Sequence, residues 1–316
     1  MDRRTFLKLT SLAPSAFALA PTMLRAQATG EVRIGYQKTG VLVIARQQGS
    51  VEKRFASEGV QVKWVEFTSG PPMMEAISNG AVDFGAVGDS PPIFAQAANA
   101  NIVYAAASPI SNGQGILVPQ NSSIKTIADL KGKRVGFTKG SSAHNVVLLT
   151  LEKAGLTYAD ITPVYLTPPD AGPAFANGSI DAWAVWDPYF AIGEKKQNAR
   201  ILINAHEVGK TNAFFIANRD FANKRRGQLS NIIAGLATAA EWAGGHRDEV
   251  AKSLHEITGV PLDIQTVAAN RATFAIGPVT DDVIETQQRV ADGFARLGLI
   301  PRPIKVRDIV WRAPQT

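Results

Sequence analysis

Residues 79–91 read NGAVDFGAVGDSP, and residues 177–188 read NGSIDAWAVWDP. In both stretches Asn-Gly reads as a helix exit, because glycine accepts the left-handed conformation that ends a helix. A short apolar run then reads as a buried strand. Aspartate with proline one or two residues on reads as the start of the next helix, whose first turn tolerates proline. The two copies share one register, which sets Asp83 opposite Asp181 and Asp89 opposite Asp187. Chance repetition of a common strand–helix unit is one explanation. We favour the other, two similarly built lobes, each offering a helix N-terminus at the end of a strand.

Working outward, the same alternation covers most of the chain. Val32, Ile34 and Tyr36 alternate as a strand, and Val41, Ile44, Gln48, Val51 and Phe55 form a helical stripe. Val60, Val62 and Trp64 alternate again, and Ser69-Gly-Pro-Pro opens a helix ending at Asn79-Gly80. Ala81–Val87 is a strand, and Asp89-Ser-Pro-Pro starts the next helix. Further on, 134–138, 163–166 and 180–185 read as strands, with helices after Ser142, from Asp170 to Ala176, and after Asp187-Pro188. From Phe221 the texture becomes mostly helical, over 229–242, 246–257 and 281–297. Strands regularly followed by helices predict an α/β fold with parallel or mixed sheets covered on both faces. Trp183 lies within a strand and reads as core.

The 316 residues fit two domains. The chain has no cysteine, which excludes disulfides, thiolate metal sites and cysteine nucleophiles. Residues 1–28 read as an export signal: Arg3-Arg4 with Thr5-Phe6-Leu7-Lys8, an apolar stretch, and Ala26-Gln27-Ala28 for cleavage. This twin-arginine pattern predicts a periplasmic location. Removing Arg3, Arg4, Lys8 and Arg25 along with Asp2 lowers the net charge from +6 to +3, too little for a nucleic-acid footprint. No later run approaches the roughly 18 apolar residues that a spanning helix needs.

In open α/β sheets ligands sit beyond the carboxyl ends of the strands. Gln37, Ser69, Gly70, Asp89, Ser90, Ser141, Ser142, Trp186 and Asp187 all fall in loops between a strand and the next helix. Helix N-termini leave N–H groups free and carry partial positive charge, so several converging on one cleft would hold a compact anion with neutral donors. Each residue also has an ordinary reading. Ser69, Asp89, Ser142 and Asp187 suit N-caps, and Trp186 suits either a cleft wall or the core. Lys38, Lys139 and His144 are nearby cations that either assist an anion or are solvated. Asp89 and Asp187 repel an anion, so either they cap helices or one of them meets a cationic group on a zwitterionic ligand.

Enzyme signatures are missing. His144, His206, His246 and His255 lack metal-site spacing, and Ser142 with His144 does not make a nucleophile elbow. Neither glycine-rich phosphate motif stands at a strand-to-helix turn. No cofactor and no metal is expected.

The segments GYQK (35–38), FTSGPP (67–72), VGDSPPIFAQ (87–96), DLKGK (129–133), FTKGSSAH (137–144) and DAWAVWDP (181–188) resemble periplasmic substrate-binding proteins of ABC importers. Within the sulfonate, taurine and nitrate group, the resemblance is to the aliphatic sulfonate-binding proteins. It implies a type II two-lobed fold with a ligand cleft between mixed, helix-flanked sheets. One lobe is expected to hold 29–111 plus 218–316 and the other 112–217, with crossings near Asn112 and Asn218. It further implies a monomer that delivers a sulfonate anion to a permease with a separate ATPase subunit. Gln37, Ser69, Gly70, Asp89, Ser90, Ser141 and Ser142 would hold the sulfonate, with His144 beside them and the tail near Trp186 and Asp187. Taurine or nitrate are the neighbouring ligands. A related pyrimidine-synthesising family shares this fold but depends on a cysteine-rich stretch that this chain lacks.

Overall fold

Asn79 and Asn177 end their helices in the same way. In the computed structural model, which describes residues 30–109 and 111–312, each side-chain oxygen accepts the amide hydrogen two residues on, at 2.9 Å, from Ala81 and Ser179. Gly80 and Gly178 follow with φ of 76° and 75°. Asp83 then accepts from the backbone of Arg33 at 2.8 Å and from its guanidinium at 2.9 and 3.2 Å. Asp181 does the same with Arg134, at 2.8, 2.7 and 3.1 Å. The sequence echo is a repeated three-dimensional unit.

The chain begins with β1 (Glu31–Tyr36), α1 (Val41–Gln48), α2 (Ser50–Phe55), β2 (Gln61–Glu66), α3 (Gly70–Ser78), β3 (Phe84–Val87), α4 (Ser90–Ala97) and β4 (Ile102–Pro109). The single helical stripe expected over 41–55 is broken into α1 and α2, because Gly49 adopts φ 61° and ends the first helix. The strand expected from Ala81 starts only at Phe84, since Ala81 and Val82 complete the turn out of α3. The second lobe follows with β5 (Gln114–Pro119), β6 (Arg134–Phe137), α5 (Ser142–Lys153), β7 (Thr162–Tyr165), α6 (Pro168–Ala176), β8 (Ala182–Trp186), α7 (Tyr189–Lys196), β9 (Ala199–Asn204) and α8 (Ala205–Val208). The chain returns through β10 (Asn212–Asn218), α9 (Arg219–Lys224), α10 (Arg226–Gly245), α11 (Arg247–Thr258), α12 (Leu262–Arg271) and α13 (Asp281–Arg296).

Two five-stranded sheets result, in the orders β2-β1-β3-β10-β4 and β7-β6-β8-β5-β9. In the first, β1 runs parallel to β2 and β3, while β10 is antiparallel to β3 and β4. In the second, β6 runs parallel to β7 and β8, while β5 is antiparallel to β8 and β9. In each sheet three adjacent parallel strands are linked by crossover helices, one strand (β10 or β5) runs against them, and the edge strand beyond it (β4 or β9) runs in their direction. The return crossing lies before Asn212 and not near Asn218, because β10 is an inner strand of the first sheet. The outward crossing lies between β4 and β5, around Asn112.

Each sheet separates two apolar layers. On β10, Phe215 faces the layer built with α1, α2, α10 and α11, while Phe214 faces the layer of α3, α4 and α13. In the second lobe, Phe137 and Val147 pack on one face and Trp183 and Phe175 on the other. Trp183 is 1% exposed, as its position within a strand predicts. Among the described residues, no helix is long and apolar enough to cross a membrane. Residues 1–28, read as an export signal, lie outside the described residues.

Candidate functional site

The first turns of four helices open into one cleft between the lobes. Its wall includes Gly40, Val41 and Leu42 at the start of α1, Gly70 of α3, Pro91 of α4, and Ser141 and Ser142 at the start of α5. These starts converge because the parallel strands of both sheets point their carboxyl ends at the same gap. Glycine makes the approach close. A Cβ on Gly88 would stand 2.6 Å from Ser142 Cβ across the gap, and one on Gly113 would stand 2.2 Å from Asp187 Oδ2.

The serines at these starts do not serve as side-chain caps. Ser69 and Ser141 occupy N-cap positions with extended backbone, yet neither makes a capping bond. Ser69 is 1% exposed and its Oγ has no partner. Ser141 Oγ donates to Thr138 O at 2.7 Å. Ser142 Oγ donates to Gln114 Oε1 at 2.9 Å, leaving the Gln114 amide nitrogen buried and unpartnered. Gln37 lines the wall from the first lobe, its amide nitrogen donating to Ala86 O at 3.2 Å. Buried polar atoms without partners are uncommon in folded chains, and here three of them, on Ser69, Gln114 and Asp187, belong to or adjoin the cleft.

No lysine or arginine lines the cleft among the described residues. Lys38 donates to Thr258 O at 3.1 Å and stands 3.7 Å from Glu66. Lys139 lies over the Tyr165 ring, 5.4 Å from its centroid. The donors that remain are hydroxyls, amides and helix N–H groups, which suit a compact oxyanion.

The other sequence candidates divide between the cleft and the seam behind it. Trp186 and Asp187 line the cleft. Asp187 Oδ1 accepts the Ala191 amide hydrogen at 3.0 Å, so it does bond into the start of α7, while Oδ2 is buried with no partner. Burial pushes this carboxyl up to about 7, with Arg271 pulling it down and Glu194 adding to the rise. Asp89 and Ser90, by contrast, are away from the wall and fully buried. Asp89 accepts from Ser90 Oγ at 2.7 Å and, across the lobes, from the Asn145 side chain at 2.8 Å. Burial raises its carboxyl to about 6, against the pull of those two hydrogen bonds. Its backbone carbonyl accepts from Gln287 at 2.6 Å.

His144 is also absent from the cleft wall. It is 0% exposed and sits among Phe137, Tyr158 and Tyr165 of its own lobe and Phe94 and Phe294 of the other. Its Nδ1 accepts the Gly140 amide hydrogen at 3.2 Å, and burial lowers its pKa to about 3, so it is a neutral ring in a lobe–lobe contact. Sequence reading missed Gln114, although a lone polar residue between Gly113 and Gly115 ahead of an apolar run is a visible signal. It also missed Arg271, which nothing local marks. Among the described residues, no group of three or more His, Asp or Glu side chains could hold a metal ion.

The chain is similar in sequence and fold to known binding proteins. An aliphatic sulfonates-binding protein of Escherichia coli (strain K12) is 39% identical over 308 residues, covering 96% of this chain and 94% of that protein. One of the same description from Bacillus subtilis (strain 168) is 34% identical over 283 residues, covering 89% and 85%. The solved alkanesulfonate-binding protein SsuA from Xanthomonas axonopodis pv. citri, bound to MOPS, is 40% identical with a TM-score of 0.85, covering 90% of this chain and 98% of that one. A family model described as NMT1/THI5 like matches residues 37–250, and the chain belongs to that family.

Proposed function

We propose that this chain is a binding protein and not an enzyme: it takes up aliphatic sulfonates in the cleft between its lobes and delivers them to an ABC importer for sulfur acquisition. The observation that carries the reading is the cleft wall itself, which offers Ser141, Ser142, Gln114, Gln37 and the first turn of α3 but, among the described residues, no lysine or arginine. A sulfonate is a weakly basic anion that stays charged at any physiological pH, so hydrogen-bond donors suffice to hold it. In this reading Ser69 supplies its free hydroxyl beside Gly70, Ser142 and Gln114 act together, and the organic tail runs toward Trp186. Asp187, at the tail end, favours ligands that carry an amine. Asp89, Ser90 and His144 act from behind the wall, keeping the two lobes in register.

The relatives named for sulfonates, 39% and 34% identical over most of their length, support the ligand class. The twin-arginine start supports export to the periplasm, where the loaded monomer would meet a permease. Thermal-shift titration with ethanesulfonate, octanesulfonate, taurine, a buffer sulfonate, sulfate and nitrate tests the reading. A ligand bound only by the folded chain stabilises it by about 2.7 kcal/mol at a hundredfold excess over Kd. Shifts with alkanesulfonates and none with nitrate are expected. A chain that responds to nitrate or to none of the panel overturns the assignment.

A further inference from the structure

Arg271 ends α12 in the first lobe, and its polar groups reach across the seam. The guanidinium donates to both oxygens of Glu194 on α7, at 2.5 and 3.0 Å. It stands 3.8 Å from Asp187 Oδ1 and lies over the Phe190 ring, 5.3 Å from the centroid. Its backbone carbonyl accepts the amide hydrogen of Asn112, in the outward crossing, at 3.2 Å. One residue of the first lobe thus touches the hinge, a helix of the second lobe and the carboxylate that lines the cleft. Its side chain is 23% exposed, against 17% for Glu194 and 7% for Asp187. A second ion pair between the same helices, Lys196 with Asp263 at 2.7 Å, is half in solvent and contributes little.

We propose that Arg271 is a positioning residue that couples closure of the lobes to the charge of the cleft floor, locking onto Glu194 while it steadies Asp187. For its purpose this rests on the ligand-binding reading above; for its geometry it does not. The charged groups facing Asp187 are Arg271 from α12 and Glu194 from α7. Without the guanidinium, closing the lobes buries Asp187 and Glu194, neighbouring carboxylates of the second lobe, with no cation from the first lobe beside them, which disfavours the closed arrangement. A ligand that needs both lobes then meets fewer competent molecules, and its apparent Kd rises by the inverse of the closed fraction.

The chain has no cysteine, so Lys125→Cys and Glu241→Cys, both at exposed positions, place one spin label on each lobe. Interlobe distances are measured by pulsed electron resonance, without ligand and with ethanesulfonate, and affinity by calorimetry from pH 6 to 9. Arg271→Met is expected to shift the distances toward the open form and to raise Kd about tenfold or more, mostly through faster release. The loss should grow with pH, because closing without Arg271 favours a protonated Asp187. Adding Glu194→Gln to Arg271→Met should restore part of the closure, a coupling that loss of packing alone would not give. Unchanged distances, or a pH-independent loss that Glu194→Gln does not relieve, overturn the proposal. If the wild-type chain binds no sulfonate, the functional reading fails, and the distances without ligand alone decide the role of Arg271.

Discussion

Ser142 donates its hydroxyl to Gln114 Oε1 at 2.9 Å, and by doing so fixes which way the glutamine amide points. With its oxygen engaged, Gln114 turns its nitrogen, two donors and no acceptor, into a buried site that has no other partner. The two residues come from different parts of the second lobe, Gln114 from the first residue of β5 and Ser142 from the first of α5. Gly88 of the first lobe packs against Ser142, so the pair stands where the lobes meet. Donors fixed before a ligand arrives lose little freedom on binding, which would let a site without formal positive charge hold an anion.

Ser142→Ala should weaken sulfonate binding by about 1–3 kcal/mol, the usual loss for a hydrogen bond to a charged group, and it also frees the Gln114 amide to turn. Ser69→Ala should weaken binding by a similar amount. The two roles open to Ser69 differ in their effect on folding. A cap would make the alanine variant less stable by about 0.5–2 kcal/mol, but Ser69 Oγ caps nothing and is buried unpaired. Urea unfolding of ligand-free Ser69→Ala should therefore show no loss of stability. Unchanged affinity in both variants would remove these serines from the site.

The parallel half of each lobe was legible in the sequence because strand, turn and helix start lie within a dozen consecutive residues, as in 79–91 and 177–188. The antiparallel half was not. β4, β5, β9 and β10 are apolar runs without the strand–turn–helix signature of the repeated unit, and their partners are set by distant pairings such as Phe214 with Val87. That is why the return crossing was placed too late. Position after a strand singled out Ser141, Ser142, Gly70 and Asp187, which the structure places on the cleft wall. It could not separate these from Asp89 and His144, which share the same local pattern yet face the seam, because α4 and α5 pack against each other there. Arg271 is invisible to such reading: it meets Glu194 only once the two lobes are assembled.

Salt should have little effect on sulfonate affinity. Among the described residues no lysine or arginine lines the cleft, and Lys38 is engaged by Glu66 and a backbone carbonyl. Between 50 and 500 mM salt, exposed charge pairs lose most of their attraction as the screening length falls from about 14 Å to about 4 Å. Calorimetry across that range should give a Kd that changes less than about threefold, and Lys38→Met should behave as wild type. A steep rise in Kd with salt would place a cation at the ligand.

Asp187 should make stability depend on pH. Its folded carboxyl titrates at about 7, raised by burial, while an aspartate in the unfolded chain titrates near 3.9. Between these values the folded chain keeps a proton that the unfolded chain has lost. The stabilisation is therefore full below about pH 4 and is lost as pH rises through 7. Asp89, raised to about 6, acts in the same direction. Asp187→Asn should come closest to the wild-type melting temperature at about pH 4 and exceed it increasingly up to about pH 7, with the remaining slope set by Asp89 and, in the opposite direction below about pH 6.5, by the buried neutral His144. Parallel melting curves across this range would mean that Asp187 is ionised throughout.

The repeated arginine–aspartate clasp gives a comparison inside one molecule. Arg33–Asp83 and Arg134–Asp181 have the same hydrogen bonds, but Asp83 has a side chain 7% exposed and Asp181 one 31% exposed. Water competes with the second clasp far more than with the first, so equal geometry should not give equal stability. Asp83→Ala leaves the Arg33 backbone N–H and guanidinium without their acceptor beneath α3, and should destabilise the chain by about 1–3 kcal/mol. Asp181→Ala should lose distinctly less, because solvent can replace the carboxylate. Urea denaturation of the two variants under one condition gives the ratio. Equal losses would mean that the backbone N–H bond, which both clasps share, carries the energy and that the exposure of the side chains is irrelevant to it.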